Sequence, residues 1–550
     1  MKKISKLLLT TVIVATTGMI FTSCIDETEP TSVATVDQIA ESTSAAEANL
    51  MGLPAMFNLL SSTFEDIGWH FPFGYGAIMH IRDLMTGDMY MSVDNYASHF
   101  IYWAQNQYQG DGYVFCQYIF NYYYSFIMPT NNLIGGINPE TANETQLGYL
   151  GAGLAFRSLL YLDMARMYEF LPNDIFPDGM NMDGNVVTNL TVPIVKDGMA
   201  LEEVKNNPRA TREDMAAFIE EDLNNAEKYI VYLNDTKGGT LPDLSCVYGL
   251  KARLYMWLED YKQAKKYADM AISSAVVDPM TEDECTNYQT GFNDISKWMW
   301  GAQMTSEDDV VQSGIINWVS WLSNQTTFGY TGFAESNMPF NCIDDLMYAR
   351  ISDTDFRKLL FKAPEGSSLA DKVIQIPDMK ENADEFMPAM AAVKFRPKQG
   401  NATDYQTGAA SAYPIMRVEE MYFIKAEAAA HENAAEGKTI LQDFMKNYRD
   451  PDYTCSVSST DDVVEEIVFQ KRVELWGEGH TFFDVKRLNM SVTRGYPGTK
   501  WLPLTRFNTN GRPAWMNFVL IKTEGNNNPA VVGWNNPDPS DAYTPWTESK

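Results

Sequence analysis

The chain has 550 residues, of which 45% are hydrophobic, and its 42 Lys and Arg stand against 72 Asp and Glu, giving a formal net charge of −30. This apolar content can bury a large core and excludes a wholly disordered chain, while the acidity disfavours binding to nucleic acids and docking on anionic lipid. The six Cys form no CxxC pair and the five His form no HExxH motif, so we expect no zinc site, no redox motif and no cofactor.

Residues 1–23 have the pattern of a secretory signal peptide. Lysines precede an apolar run from Leu7 to Phe21, and this run is too short to span a bilayer as a stable helix. The small residues just before Cys24 resemble the lipobox of bacterial lipoproteins, in which the Cys is acylated and becomes the mature N-terminus. We therefore expect a lipid anchor, such as palmitate, on Cys24; the alternative is an ordinary secreted protein with an incidental Cys.

Residues 24–46 are expected to form a solvated tether behind that anchor. They begin with an acidic cluster at Asp26–Glu29 and continue as a Ser-, Thr- and Ala-rich stretch without helical periodicity. An acidic cluster in this place resembles the signal that sends lipoproteins of Bacteroidetes-type bacteria to the cell surface. We expect the remainder, residues 47–550, to form a single domain at the outer face of the outer membrane.

Helical periodicity with strong helix formers dominates the chain after residue 147. Polar loops separate the helical segments, and strand-like runs are few, so the sequence predicts a mainly α fold with a few short β-strands. The predicted strands are Val192–Val195, Ala392–Phe395 and Phe518–Lys522. The predicted helices are 147–170, 211–231, 245–274, 415–434, 438–448 and 461–478, the second of them capped by Thr211 with Asp214.

One predicted helix pair has the residue spacing of a tetratricopeptide repeat. Small residues at the crossing would let two antiparallel helices approach closely, while Tyr rings fill the gaps between turns. Residues 147–170 with 211–231, and 415–434 with 438–448, are candidates for further pairs in a curved scaffold. The repeat positions are Tyr248, Ala252, Tyr255, Tyr261, Ala264, Ala268 and Ala271.

Two charged motifs near the C-terminus resemble the signature of the SusD/RagB family. Residues 417–428 read Arg-Val-Glu-Glu-Met-Tyr-Phe-Ile-Lys-Ala-Glu-Ala, which is similar to the family's R-x-x-E-x-Y-L-I-x-A-E-A. Residues 466–487 are similar to the second family block, which ends in E-G followed by D-L-x-R. The resemblance covers the mature chain and is strongest over 415–490, and it implies a SusD-like fold.

The charged residues of these motifs could be interpreted as catalytic, but their helical spacing favours buried ion pairs. We expect Arg417 to pair with Glu420, and Arg472 to pair with Glu474 and Glu478. In the resembled family such residues look structural, locking the last helices onto the scaffold. The motif residues to which this expectation applies are Arg417, Glu420, Glu427, Arg472, Glu474, Glu478, Asp484 and Arg487.

The resemblance implies binding and delivery rather than catalysis. Members of the family are surface lipoproteins that capture oligosaccharides, or in some cases peptides, and cap a SusC-like outer-membrane transporter powered through TonB. Sugar rings are bound by flat aromatic faces with amides and charged groups beside them. Aromatic residues in two weakly matching segments are the candidate ligand contacts, namely Trp69, Tyr75, Tyr96, Trp103, Trp298, Trp318, Trp321 and Tyr330.

Trp103 and Trp321 are the strongest of these candidates because amide side chains follow them in the sequence. The aromatic run from Tyr118 to Phe126 is instead expected to pack inside a helix.

Two other functional classes stay open. A secreted glycoside hydrolase needs two carboxylates about 5–10 Å apart across a cleft, but with 72 acids the sequence cannot single out a pair. A member of the same scaffold that binds peptide, or only the transporter, would show no affinity for glycans. The sequence contains no GxSxG, GxGxxG or GxxxxGK[ST] motif, so it offers no signature of a serine hydrolase or a nucleotide enzyme. A structural Ca²⁺ is compatible with the acidic loops, but no motif specifies one.

Overall fold

The computed structural model describes residues 42–61, 69–95, 97–103, 105–334 and 337–548. The helices are α1 (Thr43–Met56), α2 (Tyr75–Leu84), α3 (Val114–Gly135), α4 (Glu144–Tyr168), α5 (Leu201–Val204), α6 (Arg212–Tyr229), α7 (Leu244–Trp257), α8 (Tyr261–Ser274), α9 (Glu282–Thr286), α10 (Asp309–Gln312), α11 (Trp318–Leu322), α12 (Asp345–Arg350), α13 (Lys380–Phe386), α14 (Tyr405–Gly408), α15 (Val418–Glu432), α16 (Ala434–Tyr448), α17 (Thr460–Glu474), α18 (Thr481–Arg487) and α19 (Lys522–Asn527). Short 3₁₀ turns lie at 230–232, 295–297, 356–360, 377–379, 398–400, 503–505, 514–516 and 529–531, and a π turn at His99–Trp103.

The long helices stack in antiparallel pairs, which confirms the mainly α, repeat-like scaffold predicted from the sequence. Helix α4 packs on α6, α7 on α8, and α15 on α16, and α8 joins the last two pairs by packing on α15. Three alanines of α8 are fully buried at these crossings, and the rings of Tyr255 and Tyr267 stack with centroids 5.5 Å apart. Small side chains thus allow the close helix contact, and aromatic rings fill the space around it.

Helix starts are defined by side-chain caps. The hydroxyl of Thr211 accepts a hydrogen bond from the backbone N–H of Asp214 (3.1 Å), as predicted. Ser42 caps α1, so this helix already includes the last four residues that we had assigned to the tether. The Ser, Thr and Ala that suggest a flexible segment also suit a helix start followed by good helix formers.

The strands form two small antiparallel sheets. Strand β1 (Met89–Met91) pairs with β3 (Asn341–Ile343), and β2 (Trp300–Gln303) pairs with β4 (Ala412–Met416). The prediction of strands at 192–195, 392–395 and 518–522 was wrong. Residues of these segments instead make single backbone hydrogen bonds to different parts of the chain, as when Phe518 donates to Met167, and Lys522 already begins α19. Residue type alone cannot show this.

One apolar cluster forms the main core, and its members come from nearly the whole described chain, from Ala46 to Tyr543. A second, smaller cluster lies among α15, α16 and α17. None of the helices in the described ranges is both long enough and apolar enough to cross a membrane.

The C-terminal segment returns to the scaffold through a buried arginine. The guanidinium of Arg209 donates to the carbonyl of Trp534 (2.8 Å) and to the side chain of Asn536 (2.7 Å). The same group donates to the carbonyl of Tyr168 at the end of α4 (3.0 Å). One side chain therefore joins the final residues to the middle of the scaffold.

Candidate ligand-binding face

Two neighbouring pockets are lined by loop residues and by the short helix α13 rather than by the paired helices. They have volumes of about 640 and 340 Å³ and share the residues Ala334 and Met338. We call the surface that lines them the aromatic face. Its residues are Ser92, Val93, Ile315, Thr327, Phe328, Gly329, Tyr330, Gly332, Phe333, Ala334, Asn337, Met338, Phe340, Asn382, Phe386 and Pro388.

The aromatic face combines exposed rings with neutral polar groups. Phe386 is 60% exposed, Phe328 and Phe333 are half-buried, and amides of Asn337 and Asn382 lie in the same pocket wall. Flat apolar rings next to hydrogen-bonding amides suit a ligand with both C–H faces and hydroxyl groups.

Tyr330 is held in the smaller pocket by residues from two distant parts of the chain. Its ring stacks on that of Trp321, with centroids 4.6 Å apart and planes 3° apart. Its hydroxyl hydrogen-bonds to Nδ1 of His70, and the indole N–H of Trp321 donates to the carbonyl of His70 (2.9 Å). The segment that carries Trp69 is thereby fixed beside the pocket wall.

The loop that carries Tyr330 and Phe333 is folded tightly on its own backbone. The N–H of Tyr330 donates to the hydroxyl of Ser320 (2.9 Å), and the N–H of Thr331 donates to the carbonyl of Ser320 (3.1 Å). Gly332 has a φ of +87°, and a Cβ at this position would lie 2.5 Å from the carbonyl oxygen of Asn324. The chain requires glycine here to turn the loop toward the pockets.

Four of the rings expected to contact ligand belong to the core instead. Tyr75, Trp298, Trp318 and Trp321 are at most 3% exposed, so none of them presents an open face to a sugar. The Tyr75 hydroxyl donates to Asp163 (2.5 Å), and Trp318 stacks on Tyr413. Trp321 supports Tyr330 from beneath rather than forming the surface itself.

The amides after Trp321 are also structural, contrary to the reason for ranking that residue highly. Asn324 is fully buried and donates to the carbonyls of Asn341 (2.8 Å) and Ala392 (2.9 Å). Gln325 hydrogen-bonds to the buried Arg396. Sequence proximity of an amide to an aromatic ring therefore did not mean that both faced a ligand.

Trp69 and Tyr330 remain candidate contacts on the structure, since Trp69 is half-buried and Tyr330 lines the smaller pocket. Cys24, Tyr96 and the side chain of Trp103 lie outside the described part of the chain, so those expectations stay predictions. Sequence reasoning did not select Phe333 or Phe386 for the site. The available signal was that Phe386 directly follows the polar stretch 380–385.

The charged motif residues are buried in an ion-pair network, but their partners differ from those expected. Arg417 pairs with Glu474 (3.1 Å) and Glu478 (2.9 Å), while Glu420 pairs with Arg253. Arg417 precedes α15 and has an extended backbone, so the helical spacing to Glu420 does not apply to its side chain. The predicted pairing of Arg417 with Glu420 was therefore wrong.

The second expected set of pairs was also wrong. Arg472 points to Asp88 of a distant loop (3.1 Å), and Glu474 accepts from Arg449 (2.6 Å). Glu478 lies beyond the end of α17, which stops at Glu474. Long side chains on a buried helix choose partners from neighbouring elements as well as from their own turn.

The remaining motif residues pair between α15, α17 and α18. Glu427 of α15 accepts from Arg487 of α18, and Asp484 pairs with Lys471 (2.8 Å). Burial opposes ionisation of Glu420, yet Arg253 beside it lowers the pKa of Glu420 to about 2. Within the residues that the structure describes, no cluster of His, Cys, Asp and Glu has the make-up of a metal site.

Comparison with known proteins gives one family and one fold. The family model described as SusD family matches residues 367–537. A SusD-like carbohydrate binding protein from Bacteroides vulgatus has 21% identity and a TM-score of 0.67, over 89% of this chain and 97% of that chain. No curated protein matches the chain.

Two further solved structures show the same architecture. A SusD superfamily protein from Bacteroides thetaiotaomicron has 18% identity and a TM-score of 0.65, over 90% of this chain and 100% of that chain. A SusD superfamily protein from Bacteroides fragilis has 18% identity and a TM-score of 0.61, over 89% of this chain and 98% of that chain. These likenesses establish a SusD-like fold.

Proposed function

We propose that this chain, which matches the SusD family model over residues 367–537, binds oligosaccharide at the aromatic face. The observation that carries the proposal is the grouping of Phe328, Tyr330, Phe333 and Phe386 around two neighbouring pockets. A structural neighbour described as a SusD-like carbohydrate binding protein supports glycans as the ligand class. Binding is the proposed role at this face, because no Asp or Glu is among the residues that line its two pockets, whereas glycoside hydrolysis requires a pair of carboxylates.

The same proposal extends to anchoring and delivery. Lipidation of Cys24 would hold the protein at the outer membrane, because each buried methylene of an acyl chain contributes about 0.8 kcal/mol. A SusC-like TonB-dependent transporter would then receive the captured glycan. Support for both comes from the lipobox-like sequence and the family resemblance, and intact-mass measurement of the membrane-extracted protein would detect the acyl groups.

Calorimetric titration with a panel of host and plant polysaccharides tests the glycan proposal. The protein should begin at Ile25, which keeps every described residue, and release of reducing ends should be measured in parallel. We expect binding without release. Phe333→Ala and Phe386→Ala, which both alter the larger pocket, should each weaken binding about tenfold, which corresponds to about 1.4 kcal/mol and to the loss of one aromatic contact.

Trp534→Ala is the matched control, because Trp534 is 43% exposed and lines neither pocket. Equal weakening in all three variants would assign the loss to general damage and contradict the proposal. New reducing ends would favour a hydrolase, and no binding across the panel would favour a peptide-binding or adaptor member of the fold.

A further inference from the structure

A second cavity, distinct from the aromatic face, lies between the scaffold helices α4, α6 and α7 on one side and α17 and α18 on the other. It has a volume of about 160 Å³. Seven Arg and Lys but only four Asp and Glu line it, although the whole chain has a net charge of −30. The cavity therefore has a local excess of positive charge in a strongly acidic protein. We call this cavity the basic cavity.

Four of the seven cations already have carboxylate partners. Arg253 is paired with Glu420 (2.6 Å), Lys471 with Asp484 (2.8 Å), and Arg166 with Asp163 (2.6 Å). Arg487 is paired with Glu427 and Asp484. These pairs neutralise the deeper wall of the cavity, so they do not account for its excess charge.

The other three cations, Arg212, Lys486 and Arg512, share a single buried carboxylate. Glu169 interacts electrostatically with all three, and its nearest contact is with Arg212 at 3.4 Å. Glu259 also lines the cavity, but it is exposed, so solvent and salt screen its charge. The three cations therefore face about one effective negative charge.

The hydrogen bonds of Lys486 and Arg512 go to neutral groups. Nζ of Lys486 donates to the carbonyl of Met167 (2.8 Å), and Nε of Arg512 donates to the amide oxygen of Asn489 (3.0 Å). Neither residue forms an ion pair with another residue of the described chain. Burial lowers the pKa of Lys486 well below its usual value, as expected for an ammonium group that lacks sufficient negative charge nearby.

We propose that the basic cavity binds a small oxyanion, a phosphate, sulfate or carboxylate group, between Arg212, Lys486 and Arg512. Guanidinium and ammonium groups are the side chains that recognise such anions. A volume of about 160 Å³ accommodates a group of this size, since one water molecule takes up about 30 Å³ in the liquid. The anion is either a free inorganic ion or the acidic group of a charged sugar.

The proposal is tested with the chain from Ile25 by thermal unfolding and calorimetric titration at constant ionic strength. The probes are inorganic phosphate, inorganic sulfate, galacturonate and, as the neutral counterpart, galactose. We expect at least one of the three anions to bind with a stoichiometry of one and to raise Tm, and galactose to do neither at this cavity. Response to phosphate or sulfate identifies a free ion, and response to galacturonate alone identifies an acidic sugar.

Arg512→Gln removes one cation at the half-buried rim and should weaken anion binding at least tenfold. Arg506→Gln is the matched control, because Arg506 is also half-buried but donates to the carbonyl of Trp501 (2.8 Å), outside the cavity. Arg212→Gln serves as a second variant if Arg512→Gln unfolds. Unchanged anion affinity in the folded Arg512→Gln or Arg212→Gln protein would overturn the proposal, as would a wild-type protein that binds none of the anions.

The inference is independent of the proposed glycan function. Arg512→Gln leaves the aromatic face intact, so its affinity for a glycan bound there should equal that of the wild type. Loss of anion binding with unchanged glycan binding therefore separates the two sites.

Discussion

Glu474 shows how single buried charges shape this protein. Its carboxylate contacts Arg417 (3.1 Å), Arg449 (2.6 Å) and Arg357 (3.2 Å), and these partners precede α15, follow α16 and belong to a distant 3₁₀ turn. The adjacent guanidinium groups hold the pKa of Glu474 well below its usual value despite its burial. Charges desolvated in this way are costly to leave unpaired, so the network selects one arrangement of the elements.

Glu420→Gln should reduce the dependence of stability on acid pH. Burial opposes ionisation, but Arg253 lowers the folded-state pKa of Glu420 from 4.5 to about 2. The carboxylate therefore contributes stability that is complete above about pH 4.5 and is lost as pH falls toward 2. As the pH falls from about 4.5 to 2, the free energy of unfolding of the wild type should therefore decrease by about 3 kcal/mol more than that of the variant.

Urea unfolding at pH 7, 4 and 2 measures this difference for both proteins. Glu202→Gln is the control, because Glu202 is 86% exposed in its pair with Lys205 and exposed pairs contribute little. Parallel pH profiles of wild type and Glu420→Gln would contradict the assignment of the low pKa to this residue.

At the scale of elements, close helix packing depends on positions that accept no larger side chain. Gly437 of α16 lies against α15, where a Cβ would be 2.4 Å from the Cβ of Ala430 and 2.7 Å from the carbonyl oxygen of Ala426. At Gly52 of α1, no heavy atom of the described residues lies within 4 Å of the corresponding position. Both glycines lie inside α-helices, but they differ in the space available for a Cβ atom.

Ala at these two positions should therefore have opposite effects. Gly437→Ala must push α16 away from α15 and should lower the free energy of unfolding by about 1–3 kcal/mol. Gly52→Ala restricts the unfolded chain without a clash and should raise it by about 0.5–1 kcal/mol. Urea unfolding of both variants checks the signs, and destabilisation by Gly52→Ala would show that α1 has a neighbour on that side.

At the scale of the molecule, buried arginines tie the C-terminal segment to the scaffold. Arg494 donates to the carbonyls of Leu84 (2.9 Å) and Thr86 (2.7 Å), and Trp515 donates to Met85 (2.9 Å). Together with Arg209, these contacts make the last residues part of the core that starts near α1. Hydrogen bonds to backbone carbonyls thus hold the C-terminal segment against the N-terminal part of the described chain.

Arg209→Met should loosen the C-terminal segment while preserving most of the scaffold. The variant loses the bonds to Trp534 and Asn536 and leaves their acceptor groups without this donor, which costs roughly 1–3 kcal/mol per buried group. We expect faster amide hydrogen exchange over residues 518–536, with little change in α7 and α8. Lys228→Met, an exposed lysine on α6, is the control, and unchanged exchange in Arg209→Met would contradict a fastening role for this residue.

The sequence predicted the helices well because their signals are local. The spacing of Ala264, Ala268 and Ala271 on α8 predicts a close contact between helices, and the cap at Thr211 depends only on the next three residues. The strands were missed for the opposite reason, since β1 and β3 lie about 250 residues apart and their pairing depends on the completed fold. The sequence directed attention to the segments that line the aromatic face, which is itself a proposed site, but it could not show that Tyr75, Trp298, Trp318 and Trp321 are buried in the core.

The sequence by itself determined the helical scaffold, the resemblance of its C-terminal part to the SusD family and the aromatic richness of the segments near residues 70 and 330, because periodicity and motifs are properties of neighbouring residues. Only the tertiary structure decided which rings face solvent, which acid pairs with which arginine, and where cations outnumber carboxylates. Burial and ion pairing depend on contacts between residues hundreds of positions apart, as with Arg472 and Asp88. Such contacts exist only once the chain has folded, since long charged side chains can reach any of several partners brought close by packing.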